Sequence, residues 1–345
     1  MTSHADPAPV PGKRRILCVD GGGIVGTFPA AFLAGLEQHL DQPIGRYFDL
    51  IVGTSTGGIL ALGLGMGFPA SRLLDLYETR GPEIFGQHRG RFRNVVAHIW
   101  RCVQWTYRRK HDAGPLHAAL TDVFGDRCLG HAQTRLLIPA WNPVARRVYI
   151  YKTAHHQRLK SDYKARAVDA ALATAAAPTY FDRHVTPQGV GLLDGGVWAN
   201  NPTALAVVEA ITLLGWHPNS LQVLSLGCLD EVYDFPSGAG LGTLCTKVMK
   251  LFMDGQSHGA MGIAQLLTGH EHERTAIYRI THTVPSDKYK LDNTSKIREL
   301  KGLGFAQARD REPHLAPVFF DAPADRFDPI YKLDGEGATP PATRG

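Results

Sequence analysis

Ser55 lies in the segment Gly53-Thr54-Ser55-Thr56-Gly57, between the apolar run Phe48 to Val52 and the small, apolar run Gly58 to Met66. That order reads as strand, sharp turn, helix, with a serine at the turn: a nucleophile elbow. Gly53 and Gly57 allow the strained backbone and the close packing of helix on strand. The serine hydroxyl is pushed out beside the positive end of the following helix. Two further glycine turns follow predicted strands, Asp20-Gly21-Gly22-Gly23 and Asp194-Gly195-Gly196. The amides of Gly21, Gly22, Gly23 and Ile24, unobstructed by side chains at a helix start, suit a developing oxyanion. Asp194 offers a carboxylate to accept the serine proton. A carboxylate of ordinary pKa, about 3.9, is a weak base for a hydroxyl. Partial burial of Asp194 and charge stabilisation by the loop narrow that gap. The usual alternative is a histidine triad, but none of the 16 histidines, His155, His156, His258 and His270 among them, sits in a motif tying it to Ser55.

These turns meet only if a sheet carries them. Arg15 to Val19, Phe48 to Val52, Arg135 to Ala140, Val148 to Tyr151, Val190 to Leu193, Leu221 to Leu226 and Thr275 to Ile280 read as strands. Between them Thr27 to Leu40, Gly57 to Leu64, Ser71 to Thr79 (Ser71 as N-cap), Leu116 to Phe124, Val168 to Ala177 (stopped by Pro178) and Pro202 to Leu214 read as helices. Leu241 to Leu267 and Thr294 to Arg309 are helical in pattern. The alternation predicts an α/β sandwich of three layers, a largely parallel central sheet with helices on both faces. In such a sheet, ligands bind where strands end at their carboxyl edge.

The chain has 345 residues, 44% hydrophobic and 20% charged, enough for a substantial core. A net charge of +5 favours anionic partners weakly and does not identify them; no DNA or RNA polymer is expected. Five scattered cysteines without a C-x-x-C pair predict reduced thiols and a cytoplasmic protein. Leu50 to Ser71 is 22 residues without a charge, long enough to span a bilayer, but its six glycines and polar turn read better as buried strand and helix. Residues 1–12 read as a disordered leader, 13–322 as the catalytic domain, and 323–345 as a flexible tail rich in Pro, Asp and Gly. Within the domain, 86–112 is a basic, aromatic insertion, partly helical from about Asn94 to Tyr107, and 230–309 a C-terminal helical cap. The insertion reads either as a solvated face or as a surface for an anionic membrane or activator. His270-Glu271-His272-Glu273 and His155-His156 are neighbours that rarely ligate together, so no metal site is expected. Asp20 reads as structural, holding its loop through side-chain to backbone hydrogen bonds, with a catalytic role as the alternative.

Together these residues carry a resemblance. Asp20-Gly21-Gly22-Gly23-Ile24-Val25-Gly26, Gly53-Thr54-Ser55-Thr56-Gly57-Gly58 and Asp194-Gly195-Gly196 are similar to the three signatures of patatin-like phospholipases. Ala176-Ala177-Pro178-Thr179-Tyr180-Phe181 and Val197-Trp198-Ala199-Asn200-Asn201-Pro202 support it. The resemblance spans about Arg15 to Gly227. It implies a Ser–Asp dyad, Ser55 as nucleophile and Asp194 as base, hydrolysing membrane phospholipid acyl esters through an acyl-serine, without a cofactor. Val25 departs from the motif, which has an arginine there. Gly26-Thr27-Phe28-Pro29-Ala30-Ala31-Phe32-Leu33, Gly81-Pro82-Glu83-Ile84-Phe85 and Leu300-Lys301-Gly302-Leu303-Gly304 resemble, more narrowly, bacterial patatin-like effectors of anti-phage signalling. That implies a cyclic dinucleotide activator, action at the inner membrane surface, and room for a homo-oligomer. The competing readings are a nucleotide-binding switch or ATPase using the Asp20 loop for phosphate, and a non-catalytic lipid binder.

Overall fold

The computed structural model describes residues 12–85, 112–178, 180–232, 241–269, 275–285, 288–289 and 291–333, without the side chains of 231–232 and 241–250. In chain order its strands are β1 (Arg14–Val19), β2 (Leu50–Gly53), β3 (Arg135–Asn142), β4 (Arg147–Lys152), β5 (His184–Val185), β6 (Gly191–Asp194), β7 (Leu221–Leu226), β8 (Asp230–Val232), β9 (Ile277–Ile280) and β10 (Thr283–Pro285). The helices are α1 (Thr27–Glu37), α2 (Thr56–Gly65), α3 (Ala70–Phe85), α4 (Gly114–Phe124), α5 (Ala167–Thr174), α6 (Gly196–Ala199), α7 (Thr203–Thr212), α8 (Leu241–Leu267) and α9 (Ile297–Phe319).

The main sheet runs β5-β6-β3-β2-β1-β7-β9, with β4 also on β3. Strands β3, β2, β1, β7 and β9 are parallel, and β4, β5 and β6 join antiparallel. Alternation along β1 sorts two cores. Leu17 and Val19 face a large cluster with α1 to α5 and α9, while Ile16 and Cys18 face a smaller one with Ala206, Val207 and Ala210 of α7 and Ala264 of α8. This is the expected sandwich of three layers, one helical layer much thicker than the other. The uncharged stretch Leu50 to Ser71 divides into β2, α2 and the start of α3, and among the described residues no helix is long and apolar enough to cross a membrane.

Four expectations are corrected. Ser71 lies inside α3, and the first turn of that helix is capped from a distance by the Glu37 carboxylate, which accepts the Ala70 amide at 2.7 Å. Helix α5 stops at Thr174 rather than Ala177, because the Ala176 carbonyl turns away to accept the Asp194 amide at 2.9 Å. Helix α9 continues past Arg309 through Pro313 and Pro317, since Leu315 and Phe319 are buried in the large core. The segment from Ala322, expected to be loosely ordered, lies against the body as far as it is described: Phe327 is buried and the Ile330 amide donates to the Ala154 carbonyl. The expected insertion helix (94–107), the His270–Glu273 run, and residues 1–11 and 334–345 lie outside the described residues.

Candidate active site

The register of β3 explains how two distant turns meet. Strand β4 covers one edge of β3 from Leu137 to Asn142. The other edge pairs with β2 only at Arg135 to Leu137, because β2 leaves the sheet at the Gly53 turn. Strand β6 takes the vacated edge, with Ala140 opposite Asp194 and Trp141 opposite Leu193. Asp194 thus arrives beside the elbow.

Ser55 adopts φ 56° and ψ −124°, a left-handed conformation rare for a residue with a side chain. The elbow glycines are obligatory. A Cβ at Gly53 would stand 2.0 Å from the Gly57 carbonyl oxygen, and one at Gly57 2.3 Å from that of Val19. Hydrogen bonds hold the strained turn on every side. The Ser55 amide donates to Thr174 Oγ1 (3.0 Å), whose hydroxyl donates to the Pro139 carbonyl (2.6 Å). Thr54 Oγ1 donates to the Ala199 carbonyl (2.6 Å), and the Tyr77 hydroxyl to the Thr56 carbonyl (2.9 Å).

The Ser55 side chain lies close enough to the Asp194 carboxylate to pull its pKa down, and that carboxylate accepts the Gly196 amide at 2.6 Å. Burial pushes the Asp194 pKa up to about 7, against the pull of these two donors. The sequence reading expected this direction. The Gly195 turn is tight: a Cβ there would lie 2.3 Å from the Pro139 carbonyl oxygen, the same oxygen that Thr174 holds.

The four loop amides differ in what they meet. Gly21 donates to the Asn200 carbonyl (3.1 Å), Gly22 to Thr56 Oγ1 (3.2 Å) and Ile24 to the Leu291 carbonyl (2.8 Å). The Gly23 amide has no acceptor among the described residues, and Gly23 has φ 55°. Gly22, Gly23, Ser55 and Asp194 line one cavity of about 160 Å³, whose walls are otherwise mainly apolar, among them Ile59, Leu76, Ile84, Phe181 and Met253.

Asp20, just ahead of the loop, is buried, and Arg279 of β9 grips it with two hydrogen bonds of 2.6 and 3.1 Å. Asp20 therefore anchors the loop through an ion pair rather than the expected side-chain to backbone bonds. Burial raises its pKa and Arg279 opposes the rise. Val25, where the resembled motif has an arginine, is buried in the large apolar cluster. Arg279, Thr174 and Leu291 escaped the sequence reading. Arg279 meets Asp20 across 259 residues with no local motif, whereas Thr174 at least adjoins the Ala176-Ala177-Pro178 run.

The described histidine candidates lie apart from the cavity that holds Ser55 and Asp194. His155 is buried in a network with Thr153 (2.9 Å) and Glu209 (3.0 Å), which Lys152 completes (2.6 Å), and neither His155, His156 nor His258 lines the cavity. Among the described residues no group of three or more His, Cys, Asp or Glu side chains could hold a metal ion.

Comparison with known proteins places this arrangement in context. Residues 17–207, more than half of the chain, match the model of the family described as patatin-like phospholipase. A protein of Pseudomonas aeruginosa named cGAMP-activated phospholipase is 38% identical over 228 residues, 66% of each chain. A protein of that name from Vibrio cholerae is 33% identical over 234 residues, 64% of this chain and 65% of its own. Patatin-like protein 2 of Arabidopsis thaliana is 34% identical over 268 residues, 66% of this chain and 64% of its own. The chain thus spans somewhat less than two thirds of these relatives.

Proposed function

Because this chain belongs to the patatin-like phospholipase family, we propose that it hydrolyses acyl esters of membrane phospholipids with Ser55 as nucleophile and Asp194 as its base. The observation that carries this reading is the meeting of a strained, half-buried serine and a buried carboxylate of raised pKa at the wall of one apolar cavity. The acyl chain enters the cavity and sets its ester carbonyl over Ser55. Ser55 Oγ attacks the carbonyl carbon as its proton passes to Asp194. The carbonyl oxygen takes negative charge, stabilised by the Gly23 amide and the positive end of α2. The intermediate collapses, the alcohol leaves with the proton from Asp194, and an acyl-serine remains. Water, deprotonated by Asp194, then releases the fatty acid and restores the hydroxyl.

A carboxylate of ordinary pKa would be a poor base for this step. One near 7 stays ionised for about half the molecules at neutral pH and holds a proton long enough to return it. The test is a fluorophosphonate probe followed by peptide mapping. Labelling at Ser55, lost in Ser55→Ala together with fatty-acid release from phosphatidylglycerol vesicles, is the expected result. Release of fatty acid by Ser55→Ala at the wild-type rate would overturn the assignment.

The named relatives also bear on control. Two carry cGAMP activation in their names, and the same class of activator, a cyclic dinucleotide, is proposed here, with action at the inner membrane surface. Fatty-acid release measured against a panel of cyclic dinucleotides tests this: at least tenfold stimulation by one member is expected, and equal rates across the panel would refute it.

A further inference from the structure

Helix α8 has an outer face that none of the preceding chemistry uses. From Leu251 to Leu267 it carries a single formal charge, Asp254. Its inner face, Ala260, Ala264 and Thr268 at helical spacing, is buried. Its outer face presents Phe252 (68% exposed), Ile263 (52%) and Leu266 (60%), with Leu251 also exposed. At 100° per residue Phe252, Gly259, Ile263 and Leu266 fall within an arc of about 60°. A Cβ added at Gly255, Gly259 or Gly262 would meet open space, so no described residue covers this line. The stripe is about 22 Å long. Exposed apolar surface of this extent marks an interaction site.

We propose that this face is where the chain docks on a phospholipid bilayer. The inference rests on the phospholipase reading and identifies the surface through which that site receives its substrate. Continuity with the cavity argues for lipid. Met253, on the same turn as Phe252, lines the cavity wall, as do Val197 (50% exposed) and Leu291, also exposed. The Phe252 end of the stripe therefore adjoins the mouth, and a bilayer against it supplies acyl chains there. A second copy paired along the stripe would instead sit over that rim and obstruct the mouth. The helix is also bolted to the catalytic edge: the Asn201 amide donates to Gln256 Oε1 (3.1 Å) and Asn201 Nδ2 to Ser257 Oγ (3.1 Å). The neighbouring Asn200 carbonyl holds the Gly21 amide.

The test uses the full chain carrying Ser55→Ala, so that binding is read without hydrolysis. Co-sedimentation with phosphatidylethanolamine–phosphatidylglycerol vesicles is measured with and without cGAMP. The triple substitution Phe252→Gln, Ile263→Gln, Leu266→Gln removes no buried group. It should lower the vesicle partition coefficient at least tenfold, while Val144→Gln, an exposed apolar residue elsewhere, leaves it unchanged. In the Ser55 background the triple variant should hydrolyse a soluble short-chain ester at the unsubstituted rate. Equal partitioning of triple and parent, or no partitioning of the parent under either condition, would overturn the proposal. So would a concentration-dependent dimer that the triple variant breaks while vesicle binding persists. If the unsubstituted chain cleaves no ester and takes no fluorophosphonate, yet the triple variant still loses vesicle binding, the hydrolase reading fails and the docking surface stands.

Discussion

Asp194 ties activity and stability to pH in opposite directions. In the folded chain its pKa stands at about 7 against an ordinary 3.8. The base must be ionised, so the rate of Ser55 labelling should rise with pH through 7. Near pH 6 about one molecule in ten carries the carboxylate, and near pH 8 about nine in ten. The labelling rate should therefore grow roughly tenfold between those values. The sign for stability is reversed. A carboxyl whose folded pKa is raised holds its proton more tightly when folded, so stability falls as pH climbs from about 4 to 7 and stays lowered above. The displacement corresponds to about 4 kcal/mol as an upper order of magnitude. Asp194→Asn keeps an oxygen for the Gly196 amide and removes the buried charge. It should cost at least about a thousandfold in labelling, yet unfold at a higher temperature than wild type at pH 8 and at nearly the same temperature at pH 4. The assays are stopped-time fluorophosphonate labelling and thermal denaturation across pH. A labelling rate flat from pH 6 to 8, or wild-type labelling by Asp194→Asn, would refute the reasoning.

Other outcomes follow from the supporting contacts. Thr174→Val leaves the Ser55 amide and the Pro139 carbonyl unpaired; it should cost about 2 kcal/mol in denaturant unfolding and slow labelling at least tenfold, whereas Thr174→Ser restores both. Gly23→Ala meets positive φ and a Cβ contact of 2.3 Å with the Leu291 carbonyl oxygen; acyl-ester turnover should fall about a hundredfold with a stability loss above about 1 kcal/mol. Arg279→Gln strands the buried Asp20 carboxylate and should lower stability by about 3–5 kcal/mol in urea titration, with Asp20→Asn in the same chain recovering most of it.

The reacting groups were legible because their constraints are local. Gly53, Ser55 and Gly57 lie within one turn, and their backbone demands show directly as residue types. Strand β7 is found at its predicted bounds, Leu221 to Leu226, where Leu221, Val223, Leu224 and Leu226 are buried in a parallel strand. What stayed hidden was remote. Glu37 caps α3, Arg279 holds Asp20 and Leu291 takes the Ile24 amide, each pair far apart in the chain with no spacing rule to announce it. The four loop amides looked equivalent in sequence, and only their partners separate Gly23 from the other three. Helix ends failed for the same reason. The Ala-rich run could have continued to Ala177 on propensity alone, but the Ala176 carbonyl bonds the Asp194 amide instead.

The shared edge of β3 has a consequence for how the chain reaches its working form. Since side chains alternate sides along a strand, a slip of β6 by a single step would send the Asp194 carboxylate to the opposite side of the sheet. The tight fit of Gly195 against Pro139 opposes the slip that would put Asp194 in its place. A chain that pairs these strands wrongly could thus still bury much of its core and yet have no base within reach of the serine, so competence is decided by a few backbone pairings.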